Sequence, residues 1–339
     1  MKRILNKTII LAIGLMLVGG AAFGVDFTAL ENSFGDFSDG VAEALPQAST
    51  TGLTWSDARV RGFPHFGVGL SVGAVMMPED AFTELADGLQ IELPSELITD
   101  LGVPFPSYAF DARVGIPFLP FDVGAKLGVL TPDMSDSLGG DTSADYMLAG
   151  FDIRYPILKG RLLMPAVSVS AGYNYLSGGL TSTFSSSGGD LTSIDVGGIG
   201  DLDPNTVVTA SDPDLRFDFQ THSVDFKAQA SKNLLIFTPY VGGAYTYGWS
   251  KAGGGVKSEL GTSGSADTLD DVRDALEAEG YDIELTDEGF SVLSGANGGA
   301  VRAFGGVSVN LLILKLDLNG QYNFATQSLG GGINARIQF

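Results

Sequence analysis

Charged residues recur along the chain at spacings that suit one face of an extended strand. Patterns of the type Asp-x-Arg, Asp-x-Lys and Lys-x-Asp repeat, and the residues involved are Asp111, Arg113, Asp122, Lys126, Asp152, Arg154, Asp225, Lys227, Lys315, Asp317 and Arg336. Side chains two residues apart on a strand share a face and lie about 7 Å from each other. Each pattern therefore places an acid and a base side by side.

A charged face of this kind has two uses when strands enclose a lumen. The charges can line a polar conduction path, or they can form an ion-pair network that fills a narrow lumen, in which every buried charge needs a partner. Barrels of about eight strands are filled by side chains, whereas those of about sixteen strands hold a wide channel. The sequence leaves both uses open.

Period-two alternation of apolar residues with polar or small ones recurs from Phe63 to the C-terminus. This pattern predicts β-strands with one apolar and one polar face, and about ten such strands can be recognised. In the sixth strand the alternation shifts. We interpret the shift as a β-bulge between Gln220 and Ser223 that leaves Phe217 and Phe219 on the outer face.

The last ten residues carry the most characteristic strand pattern. Ile333, Ala335, Ile337 and the terminal Phe339 share one face, and polar residues occupy the other. This ending resembles the closing strand of bacterial outer-membrane β-barrels. The resemblance implies a transmembrane barrel in the bacterial outer membrane, with lipid around it and the barrel-assembly machinery as a partner of the C-terminal strand.

The predicted connections alternate between short and long. Four long ones hold 27 of the 40 acidic residues, and they are Met77–Ser107, Thr131–Ser143, Leu176–Asp214 and Ser250–Gly299. Transmembrane barrels have short periplasmic turns and long external loops, so we expect these acidic connections outside the cell. Within the last one, Thr268 to Glu279 predicts a helix that Thr268 caps.

The N-terminal region has two parts. Residues 1–24 predict a cleaved signal peptide: a basic start, a short apolar run and then small residues. Residues 25–62 predict an amphipathic helix and a connector that act as a plug, with Pro46 ending the helix. The apolar stripe of that helix consists of Phe27, Leu30, Phe34, Phe37, Val41 and Leu45. The glycines at 35 and 40 leave a loosely ordered leader as the alternative.

This helix before the first strand resembles the N-terminal hatch of the FadL-type hydrocarbon transporters. The resemblance covers architecture only, because no Asn-Pro-Ala motif occurs and no binding residue is carried over. It implies that the N-terminal helix plugs the barrel. The acidic residues Glu31, Asp36, Asp39 and Glu43 on the other face of the helix indicate separately that it packs on protein, either as a plug at or inside the periplasmic mouth or as a dock for a partner.

Catalysis is not expected, and neither is a cofactor. The omptin outer-membrane proteases, which the chain resembles in strand number, use a histidine and several aspartates at the outer rim. The histidines of this chain, His65 and His222, lack such a placement. The aspartate clusters lack EF-hand spacing, and the formal charge of −21 disfavours nucleic acid as a partner.

The sequence thus predicts an all-β fold, a transmembrane antiparallel up-and-down β-barrel of about ten strands spanning residues 63–339, with a short N-terminal amphipathic helix. The expected function is a passive channel or transporter for small or hydrophobic solutes that the helix gates. The alternative is a surface binding, adhesin or structural protein that uses the barrel as a scaffold for an extracellular ligand.

Overall fold

The computed structural model describes residues 25–60, 62–77, 79, 83, 102–133, 142–161, 164–183, 193–279, 283–286 and 289–339. The signal peptide predicted for residues 1–24 lies outside this range. In α1, the side chains of Phe27, Leu30 and Phe34 also lie outside the described set.

The chain folds into thirteen strands and two described helices. In order they are β1 (Val25–Asp26), α1 (Phe27–Ala48), β2 (Phe66–Met77), β3 (Val103–Gly115), β4 (Asp122–Leu130), β5 (Thr142–Lys159), β6 (Ala166–Thr183), β7 (Ser193–Asp195), β8 (Val207–Ser231), β9 (Phe237–Ser263), α2 (Leu269–Glu279), β10 (Ile283–Thr286), β11 (Gly289–Leu311), β12 (Leu314–Asn323) and β13 (Leu329–Gln338).

Ten long strands form a closed antiparallel barrel, which confirms the predicted fold class. Each long strand pairs with its neighbour in the chain, and β13 closes the ring on β2 from Gly330↔Val75 to Gln338↔Gly67. At the end of the closing strand, the Phe339 amide donates to the Phe66 carbonyl at 2.9 Å. The two phenyl rings stack with centroids 5.0 Å apart. The terminal aromatic therefore seals the seam between the first and last barrel strands.

The two faces of the barrel differ as the alternation predicts. Outward side chains such as Val68, Phe110 and Phe151 are half exposed and apolar. Inward positions on the same strands carry Asp111, Arg113 and other buried polar groups. A closed ring of strands with an apolar exterior satisfies every backbone group internally and suits lipid.

The two ends of the barrel also differ. Short connections at residues 116–121, 160–165, 232–236 and 312–313 mark one end, here called the turn end. The long connections lie at the opposite end, here called the loop end, together with one short connection between β12 and β13. Strand β4 has nine residues, close to the minimum of about 9–11 that crosses a bilayer.

Much of what the sequence assigns to loops is strand. Strands β8, β9 and β11 have 25, 27 and 23 residues, so they continue well past the loop end. There they pair with β7 and β10, and they share an apolar core that includes Val208, Val272 and Leu276. Parts of the predicted connections Leu176–Asp214 and Ser250–Gly299 are therefore strand. Their Gly- and Ser-rich sequence does not show the alternation by which the other strands are recognised.

The predicted helix in the last long connection is present as α2. The Thr268 hydroxyl accepts a hydrogen bond from the Asp271 amide at 3.3 Å, and Asp271 accepts from the Thr268 hydroxyl at 2.7 Å. The hydrogen bonds that the Thr268 hydroxyl and amide donate to the Asp271 carboxylate lower its pKa below the ordinary value. Neither described helix has the length and apolarity that a membrane-crossing helix needs.

The bulge predicted in the sixth barrel strand is wrong. Strand β8 pairs with β9 in one register from Asp214 to Ser231, and the irregularity lies between Ser211 and Asp214. Phe217 and Phe219 consequently point inward, where Phe217 packs edge-on against Phe37 of α1. The alternation was misread because the inner face changes from polar to apolar at this level, so inward phenylalanines were assigned to the outer face.

Helix α1 lies inside the barrel at the loop end, whereas the sequence predicts a position at the mouth that the short turns surround. Strand β1 before it pairs in parallel with β7, from Val25↔Ile194 to Asp26↔Asp195. The helix ends at Ala48, past Pro46, whose ring packs against the bare backbone of Gly248. Residues 49–60 then continue through the turn-end half of the lumen to β2. The N-terminal segment, residues 25–60, therefore runs the whole length of the barrel.

This path makes a topological prediction. An epitope tag placed before Val25 should be accessible from the same side of the membrane as a tag at Ala266, because both positions lie at the loop end. A tag at Asn233, in a turn-end connection, should be accessible from the opposite side. The measurement is antibody labelling of cells before and after outer-membrane permeabilisation. A tag before Val25 that labels together with the Asn233 tag would contradict the threaded path.

Candidate functional site

The inner wall of the barrel carries glycine at positions where the N-terminal segment passes closest to it. A Cβ atom at Gly67 would lie 2.8 Å from the Trp55 ring, and one at Gly124 would lie 2.6 Å from Leu53. Glycine is the residue that permits such close approach of another chain. The wall therefore leaves a lumen that its own side chains do not fill, and the segment fills it.

Trp55 is the centre of the contacts between segment and wall. Its side chain is 1% exposed, and its indole N–H donates to the Asp111 carboxylate at 2.7 Å. The guanidinium carbons of Arg113 and Arg336 lie 5.5 and 4.9 Å from the indole ring centroid. Both distances fall within the range of cation–π attraction, which strengthens when the groups are desolvated. One aromatic side chain thus joins the connector to β3 and β13.

Asp111 is satisfied by neutral donors. Besides the indole, its carboxylate accepts from the Ser71 hydroxyl at 2.8 Å and from the Asn334 amide at 3.1 Å. A buried carboxylate requires such hydrogen bonds to offset its desolvation. Since one of the three donors is Trp55, departure of the segment would leave Asp111 short of a partner unless water replaces it.

Next to this site, the wall charges form a continuous network. Arg113 pairs with Asp122 and Asp152 at 2.7 Å each, and Arg154 pairs with Asp122 at 2.7 Å. The chain of charges continues through Lys227, which lies 3.6 Å from Asp152 and 3.6 Å from Asp225. Arg302 completes it at 2.8 Å from Asp225. Arg336 and Asp317 form a separate buried pair. These contacts connect β3, β4, β5, β8 and β11 across the lumen.

Cations of the inner wall, Lys126 and Arg154, also hold the backbone of the connector. Lys126 donates to the Ser49 and Thr51 carbonyls at 2.6 and 2.7 Å, and Arg154 donates to the Asp57 carbonyl at 2.5 Å. Gln229 donates to the Trp55 carbonyl at 2.7 Å. An extended chain in a lumen has unpaired carbonyls that need donors. The wall supplies those donors, so its charge pattern matches an extended segment.

The structure brings most of the sequence-predicted lumen residues together in the turn-end half of the barrel. Lys315 differs, because it donates to Asn310 at 2.9 Å beside the turn-end connection at residues 312–313. In the helix, Phe37, Val41 and Leu45 are buried against the apolar wall of the loop-end half.

Sequence reasoning missed two members of this site. Arg302 lies on the inner face of β11, and extending the alternation of Val307 and Val309 backwards would have identified it. Trp55 was assigned to a polar connector, and no periodicity marks its role.

The histidines lie away from the network. His65 is at the turn end, where its ring contacts the Phe339 carbonyl and the Gln338 amide. His222 lies on β8 with the Tyr173 hydroxyl 2.6 Å from its Nδ1 and the Tyr175 ring centroid at 4.9 Å. Within the described ranges, no group of three or more His, Asp or Glu residues is arranged to hold a metal ion.

The sequence also matches a protein family. Residues 151–337, more than half of the chain, fit the model described as "Family of unknown function (DUF6588)". The chain belongs to this family. The matched region runs from β5 into β13, so it includes Asp152, Arg302 and Arg336 of the lumen but not Trp55. No curated protein sequence matches the chain.

Several solved outer-membrane barrels are similar in outline. The outer membrane protease OmpT from Escherichia coli is 9% identical, with 81% of this chain and 97% of that chain covered and a TM-score of 0.38. The translocator domain of the autotransporter NalP from Neisseria meningitidis is 12% identical, with 89% and 99% covered and a TM-score of 0.35. A FadL homologue from Pseudomonas aeruginosa is 11% identical, with 96% of each chain covered and a TM-score of 0.25. With TM-scores this low, no residue or activity of those proteins is transferred to this chain.

The central position of Trp55 predicts a large effect on stability. Trp55→Ala should destabilise the folded barrel by about 3–5 kcal/mol, because it leaves a cavity, removes a donor from Asp111 and exposes two arginines to each other. The measurement is urea unfolding in lipid vesicles. Trp249, the other tryptophan, lies on the outer face and is 45% exposed, so Trp249→Ala is the matched control. Equal losses in the two variants would show that Trp55 has no special role.

Proposed function

We propose that this protein resides in the bacterial outer membrane and forms a channel for small polar solutes, which its own N-terminal segment closes. The observation that carries this proposal is that the lumen is lined by the barrel wall but filled by a separate part of the chain. The wall provides glycines and charged groups around a lumen, and a separate stretch of chain occupies that lumen. A barrel meant only as a scaffold can fill its interior with its own wall side chains.

The type of contact between connector and wall also supports a movable closure. Apart from the buried Trp55 ring, the connector between residues 49 and 60 is held by hydrogen bonds to polar wall side chains such as Lys126, Arg154 and Ser231. Water can replace such bonds at small net cost, since a typical protein hydrogen bond contributes only about 0.5–1.5 kcal/mol. Once the connector leaves, the exposed wall is charged and wettable. Small polar solutes therefore fit this lumen better than hydrocarbons.

The proposal predicts that removing the segment opens the pore. Deletion of residues 25–60 should give steady single-channel conductance in planar bilayers, whereas the full chain should show rare, brief openings. Deleting the helix alone, residues 25–48, should have a smaller effect because the connector still fills the turn-end half. Near-zero conductance of the 25–60 deletion, in a barrel that is heat-modifiable and therefore folded, would refute the proposal.

A reversible crosslink sharpens this test. The chain has no cysteine, and the Ser49 and Ser223 hydroxyls are 2.8 Å apart, so Ser49→Cys with Ser223→Cys places two thiols in bonding range. Under oxidation the openings should disappear, and a reducing agent should restore them. The single variant Ser49→Cys is the control and should be insensitive to both treatments. Openings that persist in the fully crosslinked protein would show that solutes do not follow the path of the segment.

A second candidate function, surface binding, is favoured by the projecting sheet at the loop end. The buried residues Val208, Val272 and Leu276 of this part continue the apolar core of the loop-end half, and hydrogen bonds tie its connections together. Hydrogen bonds from the Thr206 hydroxyl and the Asp203 amide lower the pKa of Asp267, which joins the connection before β8 to the one after β9. Ordered structure of this extent beyond a barrel is typical of a binding surface.

The surface-binding candidate predicts a separation of functions. Replacing residues 257–289 by a short turn should leave barrel assembly and conductance unchanged, because β9 and β11 still pair from Val256↔Phe290 towards the turn end. Attachment of expressing cells to mucin-coated plates should fall at least several-fold relative to the full chain. Unchanged attachment would count against binding by the projecting sheet.

A further inference from the structure

The wall of the barrel is uneven in height on one side. Strand β12 ends at Asn323, which pairs with Arg302, whereas β11 continues beyond that level to Gly289. The short connection between β12 and β13 therefore forms a low rim, and α1 passes behind it. The space between helix and rim is accessible while the N-terminal segment stays in place.

A cavity of about 210 Å³ lies in this space. That volume corresponds to about seven water molecules at ~30 Å³ each, which suits a small solute. One side is formed by Ala42, Glu43 and Gln47 of α1. The opposite side is the stretch from Ala296 to Ala300 on β11, in which every residue except Asn297 is alanine or glycine. Arg302 of β11 and Thr326 of the rim complete the lining. The small residues explain why the cavity exists at all.

The two charged side chains at the cavity differ in whether they have an ion-pair partner. Arg302 is satisfied: it pairs with Asp225 at 2.8 Å and donates to Gln321 at 2.8 Å. Glu43 is exposed, and none of the cations in the described part of the chain forms an ion pair with it. The charge left to act on a solute is therefore the Glu43 carboxylate, which attracts a cation.

Gln47 adds a hydrogen-bonding feature on the same side. Its side chain is 2% exposed, and its Oε1 accepts from the Ser328 hydroxyl at 2.8 Å. The Nε2 group of the same amide is buried without an acceptor among the described residues. A buried amide N–H without an acceptor costs free energy, and a solute that brings a hydroxyl or carbonyl oxygen would recover it.

From these features we infer that the cavity between α1 and the rim is a binding site for a small primary amine that also carries a hydroxyl or carbonyl oxygen. The ammonium group pairs with Glu43, and the oxygen accepts a hydrogen bond from the Gln47 Nε2 group when the side chain turns that group into the cavity it lines. Acidic residues are concentrated at the loop end of the chain, so the local potential raises the concentration of cations near the opening. Binding here does not require the segment to move, so the site is independent of the proposed channel.

The test uses three probes of similar size and different charge: 4-aminobutanol, 1,4-butanediol and 4-hydroxybutyrate. They are titrated into the full-length protein in detergent by calorimetry. The amine should bind at least ten-fold more tightly than the diol, and the anion more weakly still. Equal affinities of the three probes, or no binding of the amine, would overturn the inference.

Two variants locate the site. Glu43→Gln should reduce amine affinity at least ten-fold and abolish the preference over the diol, while Glu279→Gln on α2 is the matched control.

Gly298→Leu tests the cavity itself, since a Cβ at Gly298 meets no atom within 4 Å and the side chain would fill the space. Its control is Gly243→Leu on the outer face, whose Cβ would approach no atom closer than 3.8 Å. Unchanged amine binding by Gly298→Leu, in a folded barrel, would place the site elsewhere.

Discussion

The lumen is the constraint on which this structure depends. Ten strands enclose a space that the glycine-containing wall does not fill. An empty lumen would also remove the partners that the segment supplies to Lys126 and Asp111. The N-terminal segment resolves both problems at once. Its helix supplies an apolar surface to the loop-end half, and its connector supplies carbonyl groups and the Trp55 ring to the turn-end half.

The two halves of the lumen hold the segment by different interactions, apolar packing in one and hydrogen bonding in the other. Phe37, Val41 and Leu45 pack against apolar wall residues in the loop-end half, where burial of apolar area contributes most of the stabilisation. Apart from the buried Trp55 ring, the connector is held by hydrogen bonds, which exchange with water at small net cost. Most of the connector half is therefore suited to rearrange, and the helix half is suited to stay anchored. Because the helix and the connector occupy different halves of the lumen, the deletion proposed to open it includes both parts.

Arg113 contacts both the N-terminal segment and the charged groups of the wall. Arg113 contacts Trp55 and the Leu53 carbonyl of the segment, and it also pairs with two wall carboxylates. Because the wall carboxylates already balance its charge, loss of the segment would not leave Arg113 as an isolated buried ion. Because the side chains of this wall network balance one another's charges, the N-terminal segment can leave the lumen without creating an unpaired buried ion among them. If the network needed the segment for charge balance, the segment's departure would be costly.

Period-two alternation by itself determined the barrel, its closing strand and the inward direction of residues such as Asp111 and Arg336, because side-chain direction on a strand is a local property. Thr268 similarly marked α2, since capping involves only neighbouring residues. Only the tertiary structure decided the path of the N-terminal segment, the inward turn of Phe217 and the place of Trp55. Those depend on which surfaces meet across the lumen, and residues far apart in the chain, such as Trp55 and Arg336, carry no periodic signal of their contact.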